Sequence, residues 1–123
     1  SREQLILDIS SNLYPHKGEL AHKWAGYAST HPTSLKNAAR QLLAAARYRA
    51  PKRRPHDQVL LLNSARDRLV NPVCSQRMAQ RWHWPLLTHP RAGHDLPLDD
   101  GAWIIQRIQA WQQDAARQET PLA

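Results

Sequence analysis

At 123 residues the chain can build one modest hydrophobic core but not two. Its one cysteine, Cys74, excludes an internal disulfide and a thiolate zinc cluster, and no apolar run approaches the roughly 18 residues that a membrane helix needs. The net charge of +7 is concentrated: between Leu20 and His56 there is no acid, while Lys23, Lys36, Arg40, Arg47, Arg49, Lys52, Arg53 and Arg54 are basic. Such a stretch attracts polyanions nonspecifically, but its ordinary use is a solvated helix face running into a linker, so nucleic acid is not the expected partner. The opening SREQLILDIS lacks the basic start and apolar run of a secretory signal, and a cytoplasmic protein is expected.

The first fifty residues read as helical. Leu5, Ile6 and Ile9 share one face of a short opening helix, and Leu20, Ala21, Trp24 and Ala28 do so in a second. A third carries Leu35, Ala38, Ala39, Leu42, Leu43 and Ala46, with Thr33 or Ser34 as its N-cap and Pro51 as its stop. Residues 1–50 are therefore expected to form a helical unit and residues 51–56 a basic, proline-rich linker.

From residue 57 to residue 123 the pattern is different. QVLLLN is an apolar run suited to a short buried strand, and Pro72 is placed to open a helix with Val73, Cys74, Met78, Ala79 and Trp82 facing inward. PLLTH is a second strand, bracketed by prolines. Asp99 or Asp100 can cap a final helix whose inward stripe is Ile104, Ile105, Ile108 and Trp111. Strand, helix, strand, helix predicts an α/β arrangement with parallel strands, in which sites gather beyond the strands' carboxyl ends.

That rule singles out Asp67 and His94, which follow the first and second strand. Parallel neighbours would deliver both to one rim. The carboxylate can then fix the imidazole tautomer and stabilise the imidazolium formed when the histidine accepts a proton, which is the chemistry of a general base. Gly93 is expected to give the backbone a tight turn just before the histidine.

The stretches VLLLNSARDRLVNP and HPRAGHDLPLDDGAWIIQRIQAW resemble the C-terminal end of the α/β-hydrolase fold, over roughly residues 56 to 112. The resemblance implies Asp67 as triad acid, His94 as triad base, and a helical lid for residues 1–50. It also implies a departure, because the family's serine sits upstream of the acid on a G-x-S-x-G elbow. Gly18, Gly26, Gly93 and Gly101 begin no such elbow, and Ser29, Ser34, Ser64 and Ser75 are left as hydroxyl candidates without one. The expectation is a C-terminal portion of a serine hydrolase acting on a small ester, thioester or amide. Its nucleophile and the N-terminal half of its core would lie outside this chain, and the chain alone would be inactive.

Two strands would expose unpaired edges, so a homo-oligomer through the sheet edge is a further expectation. No cofactor is implied, and His16 and His22 lack the spacing of a helical metal pair. Cys74 reads as a buried packing thiol. The alternative function is a noncatalytic basic interaction module in which RYRAPKRR meets an acidic partner and the hydrolase-like end is scaffold.

Overall fold

A computed structural model describes residues 1–119; the last four residues of the expected C-terminal segment lie outside them. The elements in chain order are α1 (Arg2–Ser10), α2 (Lys17–Thr30), α3 (Leu35–Arg47), β1 (Leu61–Ser64), α4 (Val73–Trp82), β2 (Leu86–His89) and α5 (Leu96–Glu119). This overturns the expected α/β class. Among the described residues the protein is small and mainly helical, five helices with one two-stranded sheet, and a hydrolase C-terminal α/β unit is not seen. The reason is physical. Alternation along the chain fixes only local order, whereas an α/β fold needs enough paired strands to give helices two faces to cover. Here each strand has four residues, and α1 and α2 pack on each other.

The local signals act as their chemistry dictates. Ser34 caps α3, its hydroxyl accepting from the Asn37 amide at 3.2 Å, and the helix ends at Arg47, ahead of Pro51. Pro72 precedes α4, where the Asn71 side chain accepts from Val73 at 3.0 Å. That helix stops on His83 in the left-handed region (φ 54°), which histidine adopts more readily than most residues. Asp100 breaks the regularity of α5 with an extended φ, and its carboxylate caps the longer piece by accepting from Trp103 at 3.0 Å.

β1 and β2 pair in parallel with Leu61 opposite Leu86 and Ser64 opposite His89. α4 packs on both strands and α5 on β1. The core is thin: Leu7, Ala21, Trp82, Trp84, Ala92 and Leu96 are its buried apolar residues. Trp82 and Trp84 stack with centroids 4.7 Å apart, and the Trp84 indole donates to the His56 carbonyl at 2.8 Å, tying the start of the strand region to the end of α4.

Several expected inward stripes face water instead. α3 has no buried residue, with Leu35 90% and Leu42 73% exposed, and Ile105 on α5 is 58% exposed. Cys74 is also exposed, contrary to the packing expected of it. Periodicity placed these residues on common faces, but nothing in a two-stranded protein is broad enough to cover the faces. Exposed apolar area on this scale favours association. Sedimentation velocity of the chain is expected to give a dimer or larger species. A single monomeric boundary across a hundredfold range of concentration, roughly, would remove that expectation.

Candidate active site

Asp67 lies three residues beyond β1 and His94 five beyond β2, and the parallel pairing brings them together. The distance from His94 Nδ1 to Asp67 Oδ2 is 2.8 Å. The other carboxylate oxygen, Oδ1, accepts from the backbone amides of Leu69 at 2.8 Å and Val70 at 2.9 Å. Both oxygens are thus anchored. Partial burial by itself would raise the Asp67 pKa, but the hydrogen bonds from Val70, His94 and Leu69 outweigh it and hold the carboxyl below its ordinary range. An ionised Asp67 only accepts, so Nδ1 of His94 carries the proton and donates it. In the neutral ring Nε2 is then the nitrogen with the lone pair, and no protein group among the described residues bonds to it. The His94 side chain is 40% exposed against 14% for Asp67.

The loop that presents His94 is built from two further aspartates. Asp99 is a hub: its carboxylate accepts from the Ser11 hydroxyl and from the amides of Asn12 at 2.8 Å, Leu13 at 3.1 Å, Tyr14 at 3.3 Å and Gly93 at 2.6 Å. Burial opposes ionisation here as well, and the bonds from Ser11, Gly93, Asn12 and Leu13 prevail, leaving the carboxyl below the usual range. One carboxylate therefore ties the end of α1 to the residue before His94. The Asp95 amide reinforces the junction by donating to the Ser10 carbonyl at 2.8 Å.

Gly93 serves this junction by its size rather than by a special φ. Its backbone is not in the left-handed region, but a Cβ there would lie 2.6 Å from the Ser10 carbonyl oxygen and 3.1 Å from the Asn12 nitrogen. The expected role as a turn residue is replaced by close approach of two backbones.

Asp100 makes the second histidine–aspartate pair, which sequence reasoning left unassigned. His89 Nε2 lies 3.1 Å from Asp100 Oδ2, and His89 Nδ1 accepts from the amides of Arg91 at 3.2 Å and Ala92 at 2.9 Å. The amide bond from Trp103, the His89 bond and nearby positive charge lower the Asp100 pKa. His89 is buried, edge-on to Trp103, with both ring nitrogens committed. It fastens the turn after β2 and has no lone pair to offer a substrate. The two pairs are thus separated by one feature, a free Nε2, and only His94 has it.

The serines expected as hydroxyl candidates do not meet His94. Ser29 donates to the Gly26 carbonyl at 2.8 Å, Ser34 caps α3, Ser64 is buried at the end of β1, and Ser75 lies on α4. Ser11 reaches this region but is bound to Asp99. No group of three or more His, Cys, Asp and Glu suited to a metal ion occurs among the described residues. No helix among them is long and apolar enough to cross a membrane.

Beside Asp67 is an open depression of about 610 Å3 whose lining residues include Ser11, Asn12, Lys17, Arg66, Arg68 and Arg91. No protein-family model, curated protein or solved structure matches the chain.

Proposed function

We propose that Asp67 and His94 are the acid and base of a serine-type hydrolase acting on a small ester, thioester or amide. The nucleophilic hydroxyl would come from outside residues 1–119. The observation that carries this reading is the 2.8 Å Nδ1–Oδ2 bond with Nε2 left without a protein partner, because it favours the tautomer a general base needs on a side chain that is 40% exposed. In the reaction, Nε2 takes the hydroxyl proton as the oxygen attacks the carbonyl carbon, Asp67 stabilises the imidazolium, and the proton then passes to the leaving group. The exposed, unpaired Cys74 suits a reducing compartment, and a cytoplasmic location belongs to the same reading. The test is turnover of a p-nitrophenyl ester by the longest gene product containing these residues. His94→Ala should reduce it by about a thousandfold or more. Unchanged turnover removes His94 from the mechanism.

A second reading, a basic interaction surface, is favoured by α3. No α3 residue is buried, and the residues on either side of it and within it, from Leu20 to His56, hold eight basic side chains and no acid. On this reading, affinity for a polyanion such as heparin falls steeply with salt and drops further in Arg53→Ala/Arg54→Ala. Salt-independent retention on a heparin column would leave the segment a solvated linker.

A further inference from the structure

We infer that the depression beside Asp67 binds an oxyanion carried by the substrate, a carboxylate or phosphate group held by Arg66 and Arg91 with Lys17 and Arg68 behind them. This rests on reading Asp67 and His94 as the acid–base pair. The first ground is charge. Four cations line the depression, and the one acid there, Asp67, already accepts from His94, Leu69 and Val70. Asp67 offsets at most one of the four, so the lining stays net positive.

The second ground is how the cations are held. Lys17 Nζ donates to the Ser11 carbonyl at 2.7 Å, and Arg68 Nη2 donates to the carbonyls of Asp8 and Ser11. Backbone carbonyls fix these two side chains without cancelling their charge. Asn12 Nδ2 donates to both the Arg66 carbonyl at 3.1 Å and the Arg91 carbonyl at 3.3 Å, so one amide nitrogen joins the two arginine backbones. Their guanidinium groups make no hydrogen bond or salt bridge among the described residues; the charge of Arg91 is felt only at a distance by Asp100. Two uncommitted guanidinium forks lining one depression, on backbones that meet at Asn12, suit bidentate recognition of a carboxylate or phosphate.

The third ground is position. The depression is lined in part by Asp67, whose Oδ2 lies 2.8 Å from His94 Nδ1, so an anion seated in it would lie on the Asp67 side of the pair. Its volume is ample for the rest of a small substrate. The anion would anchor the part of the substrate that does not react, and His94 would act on the bond next to it.

The test is a titration of the chain with inorganic phosphate and, separately, with succinate, at fixed ionic strength, followed by 15N NMR of the arginine side chains and histidine rings. Saturable shifts at Arg66, Arg91 and His94 are expected with one or both anions, and the tighter of the two identifies the group. Arg66→Ala/Arg91→Ala should weaken binding roughly tenfold or more. Arg77→Ala, at an exposed position on α4, should leave it unchanged. Lack of saturation with either anion, or binding that survives Arg66→Ala/Arg91→Ala intact, overturns the inference. The same spectra report the His94 tautomer. A chain whose His94 is protonated at Nδ1 but which binds no anion fails this inference alone. One that binds the anion while His94 carries its proton on Nε2 fails the acid–base reading and leaves the anion site standing.

Discussion

On the proposed hydrolase reading, Asp67→Asn should leave His94 in place yet lower ester turnover by about ten-thousandfold, more than loss of charge alone would suggest. The reason lies in how Asp67 is anchored. Its Oδ1 accepts from the amides of Leu69 and Val70, and an asparagine keeps those bonds only by placing its carbonyl oxygen there. The amide nitrogen must then face His94. It donates where the carboxylate accepted, so His94 Nδ1 becomes an acceptor and the ring proton moves to Nε2. The lone pair that should take the hydroxyl proton is gone, although no atom has moved far. In the chain itself, 15N shifts of the His94 ring should exchange between the two nitrogens on substitution. A ring that keeps its Nδ1 proton in the Asn variant would contradict this account, and, on the proposed reading, ester turnover by a chain that also supplies the nucleophile gives the kinetic measure.

Asp99→Asn should produce the largest loss of stability of any single polar change. Five donors converge on this carboxylate, and an amide can accept at one atom but presents hydrogens at the other. Leaving donors unanswered costs about 1–3 kcal/mol each where they are shielded, so a loss of about 3 kcal/mol is expected once partial exposure is allowed for. The pH dependence carries the sign. Asp99 has a folded pKa below its unfolded value, so its contribution is complete above about pH 4 and is lost as pH falls through the lower folded value. Asp67 and Asp100 act in the same direction. Urea unfolding between about pH 2 and pH 6 should show wild-type stability falling with acid, and a shallower fall in the variant. Equal slopes for the two proteins would deny Asp99 that role. Because Asp99 also holds the Gly93 amide, the variant should loosen the loop that carries His94.

The elements of this protein were legible wherever a signal is local. Ser34, Pro72 and Asp100 act as caps or helix openers within a few residues of themselves, so their sequence neighbourhood suffices. The strands also fall where the apolar runs lie, though β1 begins three residues later than QVLLLN does. Asp67 and His94 were legible as a pair because each follows a strand, and parallel pairing converts that shared offset into a meeting point.

The Asp99 hub, the Asn12 bridge and the closure of His89 had no such signal. Their partners are separated by up to 88 positions, and an aspartate between two apolar residues reads the same whether it caps a helix or gathers five donors. Asp99 and Asp100 stood as alternative caps; in three dimensions they do different work, one joining the end of α1 to the histidine loop and the other fastening His89. His89 and His94 likewise differ little in sequence. What separates them is whether the two ring nitrogens are already occupied, which depends on the turn between them and the helix behind it.

By itself the sequence determined the order of the helices and strands and several of their caps, the location of the positive charge, and which carboxylate and imidazole follow the two strands. Those properties arise from capping, φ restriction and side-chain type, all of which operate over a few residues. Only the tertiary structure decided that the fold is mainly helical rather than α/β, that no α3 residue is buried, and that four basic residues line the space beside Asp67. Those outcomes depend on how many strands find partners and which distant backbones meet, and no short stretch of chain contains that information.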